Sequence, residues 1–146
     1  MAVISGGLSY FAERLKDQLG FDTYRASNIE IVDNCLTGNI IGKVIDADAK
    51  AQYIHELCTQ YGLEKNQVVA IGDGANDLEM MKIVGLSVAY HAKPLLQKNC
   101  DVVIKYGGLD TIIDFFETNS VWQETNGLVG LDLSPFDVAS KGFNLT

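Results

Sequence analysis

Cations are scarce in this chain. Eleven lysines and arginines stand against nineteen aspartates and glutamates, for a net charge of −8. That balance argues against nucleic acid or an anionic membrane surface as the main partner. It leaves room for a small phosphorylated substrate, because a site can be locally cationic. Cysteine is scarce too. The three present, Cys35, Cys58 and Cys100, are odd in number and widely spaced. They exclude a disulfide framework and a zinc site, and they predict buried thiols in a reducing cytoplasm. No apolar run approaches the roughly 18 residues of a membrane span. The first residues, Met1 to Gly7, have no basic stretch and are too short to act as a signal peptide. No internal repeat is present. What remains is 146 residues, 47% hydrophobic, which suits one globular domain.

Apolar runs alternate with helical patterns along the chain. Ala2 to Ile4 reads as a short strand ending at Ser5-Gly6-Gly7. Leu8, Phe11, Ala12, Leu15 and Leu19 then keep helical spacing, with Gly20 as the residue that closes the helix. Thr23 to Ala26 reads as a second parallel strand. Ile29 to Val32 and Leu36 to Val44 alternate around Asp33-Asn34 as a hairpin. A second amphipathic helix is predicted over Ala47 to Tyr61, stopped by Gly62. Val68 to Ile71 is a buried strand, Asn76 to Val84 a short helix and Leu86 to Tyr90 another strand. Pro94 fits the first position of a brief helix. Val102 to Lys105 is a last strand and Leu109 to Glu117 a last helix. This alternation predicts an α/β fold, a mostly parallel sheet with helices on both faces. The pattern degrades after Asn119, so the core is expected over residues 1–118. Residues 119–146 are expected to form a docked arm or a disordered tail.

The most informative stretch is Val68-Val69-Ala70-Ile71-Gly72-Asp73-Gly74-Ala75-Asn76-Asp77. A buried strand runs into a glycine-bracketed aspartate, and a second aspartate stands four positions later. In an open α/β sheet ligands bind at that end of the strands. Two carboxylates and a carboxamide there make a hard-oxygen site suited to Mg²⁺. Asp73 is placed to bind the cation. Asp77 either supports it or pairs with Lys50, and Asn76 either donates to a phosphate oxygen or caps the helix. Ser5-Gly6-Gly7, between strand and helix, offers N–H groups and a hydroxyl to a phosphate. Alternatively, Ser5 only starts the turn and caps the helix. Lys50 is either a cation that neutralises phosphate or a solvated helix lysine. His91, after the Leu86 to Tyr90 strand, is either a substrate-side residue or an ordinary loop histidine.

Taken together and in this order, these segments resemble the haloacid dehalogenase superfamily, and within it the phosphoserine phosphatases. Ile4-Ser5-Gly6-Gly7 is similar to that family's second motif and Lys50, in Asp48-Ala49-Lys50-Ala51, to its third. Gly72 to Met80 is similar to the fourth motif, and Ala89-Tyr90-His91-Ala92-Lys93-Pro94 to the segment beyond it. The hairpin through Leu36-Thr37-Gly38 also fits. The resemblance implies a Rossmann-like core and a Mg²⁺-dependent phosphomonoester hydrolase acting on a small metabolite such as serine phosphate. In such enzymes an aspartate of a DxDxT-type first motif attacks the phosphoryl group and forms an aspartyl-phosphate that water hydrolyses. By resemblance, Asp73 is the Mg²⁺ ligand and Asp77 its supporting carboxylate. Ser5 and Gly6 hold phosphate oxygens, with Asn76 assisting, and Lys50 neutralises both phosphate and nucleophile.

The first motif and the helical cap that selects the substrate are not recognisable among these residues. The chain is expected to be the carboxyl-terminal part of such an enzyme, weakly active or inactive alone. Without the first-motif strand the sheet should have open edges, which invite pairing with another strand. The expected outcomes are altered strand order or a slot filled by the tail, by a second copy as a homodimer, or by a complementing chain. A non-catalytic phosphate- or metal-binding role is the alternative. Two stretches imitate the first motif. Asp46-Ala47-Asp48 is a DxD, but it leads into Lys50. Leu128 to Ser134 is an apolar run into Asp132, with Ser134 where a second aspartate would stand.

Overall fold

The computed structural model describes residues 1–114 and 136–138. The chain divides into two compact units, Met1–Lys65 and Asn66–Thr146. The first contains β1 (Ala2–Leu8), α1 (Ser9–Leu19), β2 (Thr23–Val32), β3 (Cys35–Ile41) and α2 (Ala47–Tyr61). The second contains β4 (Val69–Gly72), α3 (Leu78–Met81), β5 (Leu86–Tyr90), α4 (Pro94–Gln97), β6 (Val102–Ile104) and β7 (Phe136–Val138).

In the first unit β1 and β2 are parallel, and β2 and β3 antiparallel. The strand and hairpin arm expected as separate pieces over residues 23–32 are one strand. No Gly or Pro separates Ala26 from Ile29, so β2 pairs with β1 through its first half and with β3 through its second. Both helices end as the glycines predict. Gly20 (φ 68°) and Gly62 (φ 65°) take the left-handed conformation and donate N–H groups back to Lys16 and Cys58 carbonyls. Tyr53 of α2 is buried against the sheet, and its hydroxyl lies 2.7 Å from Thr23 Oγ1. Burial holds for Cys58 and Cys100, but Cys35 is exposed. It opens β3, an edge strand whose residues are all exposed.

In the second unit β4, β5 and β6 are parallel, and β7 closes the sheet antiparallel to β6. Leu86, Val88, Val102 and Ile104 form its core, with Ile71, Tyr90 and Ile112 packed against them. Pro94 stands at the first turn of α4 as expected. The helix expected over Asn76 to Val84 is shorter. A 3₁₀ turn at Ala75–Asp77 leads into α3, which ends at Met81. The chain must turn back at Gly85, whose N–H reaches the Val68 carbonyl at 3.1 Å. The last helix is seen at residues 111–114; its expected continuation to Glu117 lies outside the described residues.

The strands therefore pair as two sheets, not the single sheet expected. Among the described residues β1 pairs only with β2, and β4 only with β5. Each sheet ends in an edge strand there. The tail strand β7 lies beside β6, at the opposite edge of its sheet from β4. No helix among the described residues is long and apolar enough to cross a membrane.

Candidate functional site

The carboxyl end of β4 is the best-defined part of the candidate site. Ala70 is buried and Ile71 packs on the core, so the strand end is anchored. The chain then turns, and Asp77 folds back over the turn. Its side chain is 4% exposed. Asp77 Oδ2 accepts the N–H groups of Asp73 and Gly74, each at 3.2 Å, while its own N–H donates to the Gly74 carbonyl at 3.0 Å. Of the bracketing glycines, Gly72 is the one this fold-back requires. A Cβ on Gly72 would lie 2.5 Å from Asp77 Oδ2, and one on Gly74 would lie 2.7 Å from Asn76 Oδ1. A side chain at position 72 would displace the carboxylate that shapes the turn, whereas one at position 74 would displace only the end of the exposed Asn76 side chain.

Asp73 and Asn76 are exposed on this turn. The Asp73 peptide is held from both sides: its N–H by Asp77, and its carbonyl by the Lys93 N–H at 3.0 Å. The arrangement is an exposed carboxylate on a fixed turn, with a buried carboxylate behind it neutralising the turn's amides. No group of three or more His, Cys, Asp or Glu that could hold a metal occurs among the described residues. Asp73 offers this turn one exposed hard-oxygen donor. Mg²⁺ commonly takes one or two carboxylates and completes its shell with water and phosphate oxygens. Cys100 lies close to this turn, and burial pushes its thiol up, with Asp101 and Asp77 adding to the rise against a hydrogen bond from Ser87.

Ser5, Gly6 and Lys50 belong to the first unit. Ser5 does not cap α1. The strand continues through Ser5-Gly6-Gly7 to Leu8, with its register against β2 shifting between Ser5 and Leu8. The helix is entered through Leu8 without a side-chain cap. Ser5 Oγ instead accepts the Gly7 N–H at 3.0 Å, within the bulge. The Gly6 carbonyl accepts from Ser27 Oγ at 3.2 Å, and the same hydroxyl accepts the Ile45 N–H at 3.1 Å. A Cβ on Gly6 would meet the Ile45 carbonyl at 3.2 Å, so backbone is packed close here. Lys50 is 4% exposed on α2, which overturns the solvated-lysine alternative. Helical spacing alone does not place a cation at a buried position.

Sequence reasoning passed over Ser27. It is 1% exposed and ties the Ser5-Gly6-Gly7 bulge to the segment before α2. A serine inside a half-polar strand gives no signal of that role. Also missed was the clamp between Ser87 and Asp101, where one carboxylate oxygen accepts both the hydroxyl (2.6 Å) and the N–H (2.9 Å) of Ser87. His91 is exposed at the end of β5, its ring Nε2 3.0 Å from the Gly107 carbonyl. Of the two imitations of a first motif, Asp46 is the cap of α2 and accepts the Ala49 N–H at 2.9 Å. The other, Leu128 to Ser134 with Asp132, lies outside the described residues.

Comparison with known proteins gives a consistent family. Residues 8–116 match the haloacid dehalogenase-like hydrolases. A phosphoserine phosphatase of Vibrio cholerae is 40% identical over 124 residues, covering 85% of this chain and 38% of that protein. One of a Polaromonas species is 42% identical over 116 residues, covering 77% of this chain and 49% of that protein. This chain thus spans less than half the length of either relative. The crystal structure of the probable Vibrio cholerae enzyme, unliganded, matches with a TM-score of 0.79 over the same 85% of this chain and 38% of its own. A substrate-bound phosphoserine phosphatase complex matches with a TM-score of 0.73 at 35% identity, covering 78% of this chain and 54% of its own.

Proposed function

Because the chain belongs to the haloacid dehalogenase-like hydrolases, as a homologue of phosphoserine phosphatases, we propose that it carries the phosphate- and Mg²⁺-binding part of a phosphomonoester hydrolase acting on serine phosphate. The observation that carries this reading is the β4 turn, where buried Asp77 fixes the Asp73 and Gly74 amides and leaves Asp73 exposed. Asp73 would hold Mg²⁺, which when bound supplies charge neutralisation for the phosphate under attack. Asp77 keeps the turn in shape. Asn76, exposed on the same turn, donates to a phosphate oxygen. Ser5 and Gly6 present a hydroxyl and backbone N–H to phosphate oxygens, and the buried Lys50 ammonium offsets negative charge. Free thiols at all three cysteines fit a reducing, cytoplasmic setting. The serine phosphate assignment is supported by the relatives' names, not by any residue of the turn.

The attacking aspartate is not assigned among these 146 residues. The sequence contains no DxDxT, and the one DxD on a described element is accounted for by the Asp46 cap. The isolated chain should therefore turn over phosphomonoesters poorly. The test is release of phosphate from phosphoserine with Mg²⁺. Turnover comparable to full-length relatives, abolished by Asp73→Asn, would show that a nucleophile is present here and would direct the search to Asp132.

A second reading is favoured by the edge strands β1 and β4. An unpaired parallel edge is a template for another strand. A separately supplied segment bearing an apolar run into DxDxT would find such an edge, and mixing it with this chain should restore turnover. No rescue at any ratio would remove the complementation reading and leave a phosphate- or metal-binding domain.

A further inference from the structure

His91 has a left-handed backbone, φ 45°. Non-glycine residues adopt that conformation only at a cost, although histidine tolerates it better than most. Such an outlier persists where surrounding contacts enforce it. Three contacts surround this one, and a fourth braces its partner Gly107. The His91 N–H donates to the Ile104 carbonyl at 2.9 Å, carrying the β5–β6 pairing one residue beyond the strand. Its ring Nε2 lies 3.0 Å from the Gly107 carbonyl. A carbonyl only accepts, so Nε2 carries the proton. The Tyr90 ring lies 4.4 Å away, and the Tyr90 hydroxyl donates to the same Gly107 carbonyl at 3.3 Å. Gly107 is itself left-handed, φ 90°.

The turn at His91 redirects the chain so that the Lys93 N–H meets the Asp73 carbonyl at 3.0 Å. Pro94 then holds Lys93 extended, φ −67° and ψ 152°. The path is continuous: Gly107 to the His91 ring, His91 to Lys93 along the chain, Lys93 to the Asp73 carbonyl. From there the Asp73 N–H runs to buried Asp77. Fixing both peptide groups of Asp73 fixes the direction of its Cα–Cβ bond. The strand beneath is anchored in the core, since Val88 and Ala89 of β5 are fully buried.

We infer that His91 is a positioning residue for the Asp73 turn, its ring tethering the 91–93 loop whose Lys93 N–H orients the Asp73 carboxylate for a divalent cation. This rests on the reading of Asp73 as the Mg²⁺ ligand. His91 does not itself touch metal or substrate in this role. Supporting groups of this kind typically change metal affinity by about 10–100-fold when removed.

The test uses the isotopically labelled chain with three variants. His91→Ala removes the ring and keeps the strained backbone. His91→Gly removes the ring and the strain. His91→Gln restores a donor at the place of Nε2. Hydrogen exchange is read at the amides of Lys93, Asp73 and Gly74, with Val88 and Ala89 as internal references, and Mg²⁺ is titrated while monitoring the Asp73 and Gly74 amides. In His91→Ala and His91→Gly, exchange at the three turn amides should rise about tenfold against the references. The Mg²⁺ concentration for half-saturation should also rise about tenfold, while His91→Gln stays within about threefold of the parent. Unchanged exchange in both ring-less variants would overturn the inference. So would recovery by glycine but not by glutamine, because strain rather than the tether would then set the loop. If Mg²⁺ moves neither amide in the parent while exchange still answers to the ring, the tether stands and the Mg²⁺ reading of Asp73 falls.

Discussion

Asp77→Ala tests the β4 turn directly. The substitution removes the carboxylate whose Oδ2 accepts two N–H groups. A hydrogen bond to a charged acceptor contributes about 1.5–3 kcal/mol. Both bonds are 3.2 Å long, at the far end of the normal range, and Asp73 is exposed, so water can replace part of what is lost. The expected cost is about 2 kcal/mol. Asp77→Asn keeps an oxygen in place without the charge and should cost about half as much. Gly72→Ala attacks the same contact from the other side, by putting a methyl 2.5 Å from Asp77 Oδ2. Overpacking of that kind costs about 1–3 kcal/mol. In the double variant the new methyl still meets the Cβ at position 77, 2.7 Å away, so only the part of the clash made by the carboxylate is relieved. Urea unfolding monitored by circular dichroism reads this. With a slope of about 1–3 kcal/mol/M, Asp77→Ala should lower the midpoint by about 1 M at unchanged slope. A loss under about 0.5 kcal/mol would refute the claim that Asp77 shapes the turn.

Four further outcomes rest on the same kind of geometry. Gly85→Ala should cost about 3 kcal/mol or more, since its Cβ would overlap the Asn66 backbone, which cannot yield. Gly74→Ala, which meets only the end of the Asn76 side chain, should cost about 1 kcal/mol in the same urea titrations. A thiol reagent at mildly alkaline pH should find one fast group, abolished by Cys35→Ser, because Cys58 and Cys100 are buried and burial raises the Cys100 thiol. Fast labelling of all three would contradict the packing around α2 and α3. Hydrogen bonds from Asn39 and then Thr37 hold the Glu30 carboxyl below its ordinary value of 4.5. A depressed folded value means that its stabilisation is present above the unfolded value and fades as pH falls through the folded one. Carbon NMR of Glu30 should show a midpoint below 4.5, and Asn39→Ala should move it up.

The features legible in the sequence are those with a local cause. Gly20 and Gly62 end their helices where the spacing ends, and Pro94 starts α4, because each acts through its own backbone angles. The Gly72–Asp77 turn is legible for the same reason: its shape is written in residues a few positions apart. What sequence leaves open depends on distant partners. The burial of Lys50, the exposure of Cys35 and the tie from Ser27 to Gly6 and Ile45 all depend on which segment covers which. Asp46-Ala47-Asp48 sits on the border between the two cases. The same letters serve as a carboxylate pair or as a helix start, and the geometry assigns Asp46 to the second through its bond to the Ala49 N–H. That assignment has separable consequences. Asp46→Ala should cost about 1 kcal/mol, the usual loss on removing a cap, while Asp46→Asn, an equally good cap, should cost only a few tenths. Asp48, in the first turn without that bond, should matter only through the helix dipole, about 0.3–1 kcal/mol in Asp48→Ala. Urea midpoints for the three variants decide it. Equal losses in Asp46→Asn and Asp46→Ala would mean that the charge, not the cap geometry, is what α2 uses, and Asp46 would have to be reconsidered as a chemical group.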